Sequence, residues 1–437
     1  MKHLRAFLSS AVLECRALFR SGLFAAVLAL QALSVAVLPY FLRSDGTEEG
    51  ALSLYSGMVF GAVFSISGIS AFAAACGTFH PARRTNRLSL ALVHPAPPAF
   101  LYLAKCAALT VFAGALAASG GAMALARMKL DASVNPSGAL PPCVHSAKPI
   151  AAMPLREEAE KSLERILASD PSTEEAKRKI ENCRDNPRFL VLWALENRLR
   201  NAMESVGKGK TATFRFPAPP EGTECEFRLK CPTFYGLHAA FDAEFAAGPV
   251  TGRVVKASRQ TVRARFDSVQ PGPDGTVEIS VRNKSGRAML FRPRRDVALE
   301  TPAGPFTANL ARAALAWTGF IGFLCAFGAM FSSALSRPVA IFSATALMAA
   351  VLAAPLSSAQ MPNPSDMGFG GIACLCISHF IAEAAVPLFA VSPSGCLASG
   401  IAVEWSEVFS MLALGCIAAP LALSPLAASA LKAKPQE

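Results

Sequence analysis

His80–Lys105 reads HPARRTNRLSLALVHPAPPAFLYLAK and joins two long apolar segments. Arg83, Arg84 and Arg87 crowd its start, and Pro95, Pro97 and Pro98 stiffen its end. A polar connection between two apolar spans lies at a membrane surface. Its three arginines and lack of acid select the cytoplasmic side, because short cationic loops stay there. Outward from this loop the composition agrees. Of the 437 residues 52% are hydrophobic and 17% charged, against roughly 25% charged in soluble proteins. Mean hydropathy is +0.38. The reading is a polytopic membrane protein with a soluble insertion.

Within the loop, Leu88, Leu90 and Leu92 form a short leucine-rich stretch. His94-Pro95 makes a step, and Lys105 follows ten residues after that proline. This pattern resembles the loop between the second and third spans of type-2 ABC transporter permeases. There a charged turn leads into a leucine-rich helix, a Thr-Pro-like step and a lysine. The early acid common in the family is absent, since Ala82-Arg83-Arg84-Thr85 stands in its place, and Asn86-Arg87 replaces the usual Gly-Thr. The resemblance implies two permease copies around one pathway, driven by two separate ABC ATPase subunits that bind the ATP. It implies an ATPase-coupling role for Arg83, Arg84, Arg87, Leu88, Leu90, Leu92, Pro95 and Lys105. It also implies export of lipid-linked, polysaccharide or drug-like cargo.

The net charge of +11 concentrates at the ends of apolar segments, where it sets membrane orientation and needs no nucleic acid. Three tryptophans, Trp193, Trp317 and Trp405, make no base-stacking platform. Residues 1–21 form an amphipathic helix. Lys2, Arg5, Arg16 and Arg20 fall on one face, and Leu4, Phe7, Ala11, Cys15 and Leu18 on the other, as in helices lying at the bilayer interface. Spans are expected at Leu23–Leu42, Tyr55–Phe79, Ala99–Ala126, Ala308–Phe331, Val339–Ser358 and Val408–Leu431. In the third, Gly114, Ala118, Ala122 and Ala126 form a small-residue stripe suited to close helix packing. The softer stretch 372–391 holds His379, Glu383 and Pro387. A mid-bilayer carboxylate costs about 3 kcal/mol, so 372–391 is expected as a re-entrant outer element. Six crossings then keep both termini, with Lys432 and Lys434, cytoplasmic in the cell (inner) membrane.

The same parity makes 128–305 extracytoplasmic. Residues 150–206 carry a helical pattern. Short alternating runs over 211–300, parted by turns such as PGPDG (271–275), predict a β-sandwich. The fold class is therefore an α-helical membrane protein of spans 1–3 (1–127) and 4–6 (306–437) with an inserted α+β domain. Cys225 and Cys231 are the closest pair for a disulfide there, and four unpaired thiols are the alternative.

No nucleophile–base arrangement appears. Gly209-Lys210-Thr211 imitates a phosphate loop, but position 204 is Glu where that motif requires Gly. No enzyme activity and no cofactor are expected on this chain. His379 and Glu383, four residues apart, lack the further ligands of a metal site. The permease resemblance implies that Glu383, Glu404 and Trp405 belong to the outer rim of the pathway, and Trp405 reads equally as an interfacial anchor. The alternative function is a non-transporting membrane scaffold whose outer domain binds a cell-envelope partner.

Overall fold

The computed structural model describes residues 2–42, 48–80 and 392–432 continuously, and 97–230 and 242–357 with short breaks. Along the chain run α1 (Lys2–Arg20), α2 (Gly22–Phe41), α3 (Glu48–Tyr55) and α4 (Gly61–Gly77), the last two joined by a π-turn over Ser56–Phe60. Next comes α5 (Pro98–Leu130), with proline at its first position, where no N–H is needed. Then follow β1 (Cys143–Ala147), α6 (Leu155–Ala168), α7 (Glu174–Asp185), α8 (Arg188–Arg200), β2 (Glu204–Val206) and β3 (Thr211–Pro217). β4 (Cys225–Lys230), β5 (Ala243–Ala247), β6 (Val250–Thr251), β7 (Arg253–Ala257), β8 (Thr261–Phe266) and β9 (Thr276–Asn283) precede β10 (Met289–Phe291), α9 (Pro293–Asp296) and β11 (Val297–Gly304). The chain continues with α10 (Phe306–Ala334), α11 (Arg337–Ser357), α12 (Pro393–Ser399), α13 (Trp405–Leu412) and α14 (Ala419–Lys432), with a π-turn over Ala413–Ala418 between the last two.

Two compact units result. One holds the apolar helices on either side of the insertion; the other is built on Val144–Ala303. Among the described residues five helical stretches are long and apolar enough to cross a membrane: Gly22–Phe41, Gly50–Gly77, Pro98–Leu130, Phe306–Ala334 and Trp405–Lys432. Each lies within a few residues of an expected span. α11 occupies the expected fifth position, and 372–391 lies outside the described residues.

The helical unit buries a few polar side chains within a mostly apolar core and exposes large apolar ones. Leu33, Ile69, Val111, Phe342 and Leu426 are exposed, while Gln31, Ser67, Lys105 and Asn309 are buried. Water would penalise that arrangement and hydrocarbon favours it. α10 runs through the middle, packed on α4, α5 and α14. Its Gly319 meets the backbone of Met411 so closely that a Cβ there would lie 2.6 Å from the carbonyl oxygen. Small residues thus allow the approach. The close packing of α5 uses only Gly114 of the expected stripe, where a Cβ would lie 3.2 Å from Thr318 of α10. Ala118, Ala122 and Ala126 face outward, and Ala113, Ala117, Gly120 and Ala124 are buried. In so alanine-rich a helix two small-residue faces coexist, and spacing alone does not choose between them.

In the second unit, one antiparallel sheet has strand order β1-β11-β4-β8-β7, another β3-β9-β5-β6, and β10 pairs with β2. Alternation decides which side chains turn inward. Phe214 and Phe216 of β3, Phe227 and Leu229 of β4, Phe245, Phe266, Ile279 and Val281 share one core. Phe227 sits 5.6 Å from Phe245 and 5.9 Å from Phe216, ring centre to ring centre, so the two larger sheets meet through aromatics. Gly252 is the corner where the chain leaves β6 and enters β7 in the other sheet. A Cβ there would lie 2.6 Å from the Phe266 ring. Outward positions carry charge. Glu300 on β11, 2% exposed, lies 2.8 Å from Arg228 of β4 and 3.8 Å from Arg263 of β8. The Arg228 contact is off the hydrogen-bonding direction, leaving an ion pair without a hydrogen bond. α6 and α8 bury Ala159, Leu163 and Leu192 in a small core of their own. The helical pattern expected to run to 206 stops at Arg200, because Glu204–Val206 pairs with β10. β1 begins the sheet region earlier than expected.

Candidate functional site

The loop carrying Arg83, Arg84, Arg87, Leu88, Leu90, Leu92 and Pro95 lies outside the described residues, whereas both of its anchors are described. On the near side α4 ends at Gly77, and the Thr78 amide closes its last turn on Ala75. Phe79 is fully buried, and its backbone N–H donates to Ser332 Oγ of α10 at 3.2 Å. On the far side α5 starts at Pro98 and reaches Lys105 after two turns.

Lys105 ties these pieces together. Its Nζ lies 2.6 Å from Glu14 Oε1 of α1 and 3.3 Å from the carbonyl oxygen of Thr78. It also sits 5.2 Å from the centre of the Phe79 ring, where a cation is attracted to the π face. Only 6% of the residue is exposed. Lys105 is thus held in an ion pair between α1 and α5. The carboxylate supplied by α1 and the Thr78 carbonyl give the buried ammonium its partners. Glu14 was the missed member. It falls on the apolar face of α1 with Phe7 and Leu18, opposite the cations, and an acid out of place on an amphipathic face was the readable signal.

A second polar node lies deeper. Gln31 of α2 is fully buried. Its Nε2 donates to Ser67 Oγ at 2.7 Å, to the Leu116 carbonyl at 3.2 Å and to the Val63 carbonyl at 3.4 Å. Its Oε1 has no partner among the described residues. Three helices thus share one amide, and Gly120 leaves the space for it. Further side-chain donors staple neighbouring backbones: Tyr55 to Ala124, Tyr102 to Ala326 and Trp317 to Phe64, each at 2.8–2.9 Å.

Of the three rim candidates, Glu383 lies outside the described residues. Glu404 and Glu407 form a reciprocal capping box that starts α13. Trp405 stacks on Phe409 and receives the Arg312 guanidinium 5.2 Å from its ring centre. Asn309 holds the approach to that cap, donating to the Ile401 carbonyl and accepting from the Val403 amide. Glu404 and Trp405 accordingly have local structural partners. In the sheet unit Cys225 is a free, buried thiol whose pKa burial pushes up to about 11; Cys231 lies outside the described residues. Among the described residues no cluster of His, Cys, Asp or Glu could hold a metal ion.

The five long apolar helices, with large apolar side chains exposed on their outer faces, define the class, a multi-pass membrane protein with an inserted β-sheet domain. No family model, no curated protein and no solved structure matches the chain.

Proposed function

We propose that the chain is the permease subunit of an ABC-type exporter, powered by a separate ATPase that docks on residues 80–98. Six spans, α11 being the fifth, place both termini in the cytoplasm and a β-sandwich outside the cell membrane. Two copies enclose the pathway, and the ATP stays on the partner chains. The supporting observation is the anchoring of the loop. One end is held to α10 through Phe79 and Ser332, and the other is clamped to α1 through Lys105 and Glu14. A displacement of the Leu88–Leu92 stretch would therefore reach three helices at once, as mechanical coupling requires.

The test is copurification of an ABC ATPase with the tagged chain from its native membrane, repeated with Leu90→Asp/Leu92→Asp. Stoichiometric ATPase that is lost in the variant supports the proposal. An unchanged ATPase level in the variant, or none with the unaltered chain, removes it and leaves the membrane scaffold.

A further inference from the structure

We infer that Arg312 and Trp405, at the end of the helical unit far from the loop, hold one phospholipid whose headgroup joins a phosphate to a primary ammonium. The phosphate lies on Arg312, the ammonium reaches Glu404, and the acyl chains run down over Leu315 and Phe409. The inference needs the membrane placement of these helices and stands apart from the ATPase-coupling reading.

Arg312 lies six residues into α10, about 9 Å along it and about 30 Å from Ser332, which holds Phe79 at the loop end. α10 has 29 residues, about 43 Å of helix against roughly 30 Å of hydrocarbon, so its first turns reach the headgroup layer. α13 runs beside it in the same direction, since Arg312 meets Trp405 and Gly319 meets Met411. Leu315 and Phe409 therefore both lie deeper than the Arg312–Trp405 pair, and they are 40% and 63% exposed. A lipid anchored at the pair thus points its tails into the bilayer.

Arg312 is half-buried and has donors to spare. Among the described residues its guanidinium makes one hydrogen bond, at 3.5 Å to the Val403 carbonyl. Its Nε has no partner, and no carboxylate lies within ion-pair reach. An arginine so placed in a span calls for an anion, and its fork takes phosphate oxygens two at a time. Trp405 backs the cation with its ring and is itself 48% exposed, as an amphipathic side chain at the interface is. One residue earlier Glu404 is exposed and accepts the Glu407 amide of its own cap. Two acids thus flank one base, which disfavours a headgroup of net negative charge. A primary ammonium beside the phosphate answers Glu404, with three N–H donors where a choline group has none.

The test is native mass spectrometry of the full chain in detergent. Phosphatidylethanolamine, phosphatidylcholine and phosphatidylglycerol with the same acyl chains are added in equal amounts. One retained phosphatidylethanolamine is expected, preferred about tenfold over either rival, as one charge-assisted hydrogen bond would give. Arg312→Ala should abolish retention and Arg312→Lys keep part of it, which separates loss of the cation from loss of fold. Glu404→Gln should keep retention but level the ethanolamine and choline lipids. Where Arg312→Lys also retains none, that Glu404→Gln comparison decides. Equal retention of the three by the unaltered chain, or a preference for phosphatidylglycerol, overturns the site. So does full retention by Arg312→Ala, or an undiminished ethanolamine preference in Glu404→Gln. Displacement of the lipid by excess inorganic phosphate reassigns Arg312 to a free anion and also overturns it.

Discussion

Glu14 and Lys105, 91 residues apart, form a 2.6 Å ion pair in which the lysine side chain is 7% exposed and the glutamate side chain 33%. The pair fastens α1 to α5 near the loop that joins α4 to α5. Removing one partner leaves the other charge inside an apolar bundle, which costs about 3–5 kcal/mol. Glu14→Ala, which strands the buried ammonium, is expected to lose that much, and Lys105→Ala, which leaves a partly exposed carboxylate, is expected to lose less. The double variant Glu14→Leu/Lys105→Met should lose clearly less than the two single losses combined. Unfolding of the detergent-solubilised chain, arranged as a double-mutant cycle, reads this directly.

Gly120 and Gln31 yield a sharper contrast. A Cβ at 120 would overlap Val63 and come 2.9 Å from the Gln31 amide. Gly120→Ala is expected to destabilise by about 1–3 kcal/mol through overpacking. Gln31→Leu should lose less, about 1 kcal/mol, because interhelical hydrogen bonds in membranes are individually weak and its Oε1 has no described partner. Retention of a monodisperse peak after heating ranks the two variants.

In the sheet unit, Gly252→Val would push a branched side chain into the Phe266 ring at the sheet-to-sheet corner. A loss of about 1–3 kcal/mol is expected. Gly252→Val/Phe266→Leu should recover part of it, measured by protease resistance of the domain.

Cys225 should be silent to alkylation in the folded chain. Burial holds its thiol neutral with a pKa of about 11, so at pH 8 only about one molecule in a thousand carries the reactive thiolate. Mass spectrometry after maleimide treatment should find Cys225 unmodified in the native protein and modified after denaturation. Native reactivity should rise only as pH climbs toward 11.

Apolar length made the spans readable from sequence. The first was expected at Leu23–Leu42 and is Gly22–Phe41; the third, at Ala99–Ala126, is Pro98–Leu130. Period-two alternation likewise marked β3, β4, β8 and β9, because Phe214, Phe216 and Phe227 could face only a core. Tertiary pairing was not readable. Glu204–Val206 looked like the tail of a helix until β10 supplied its hydrogen-bond partners. Ala118 and Ala117 are the same residue type one position apart, and only neighbouring helices decide which is buried. The ion pair of Lys105 was not readable because its partner, Glu14, lies on a different helix near the start of the chain.

Single-cysteine accessibility tests the orientation on which the transport proposal stands. Asp274→Cys places a thiol in the exposed turn before β9, and Ser89→Cys places one in the arginine-bearing loop. Intact cells are treated with a membrane-impermeant maleimide, the unaltered chain serving as background. The expected result is labelling at 274 in intact cells and at 89 only after lysis. Labelling at 89 in intact cells, with 274 protected until lysis, would contradict the orientation and with it the coupling to a cytoplasmic ATPase.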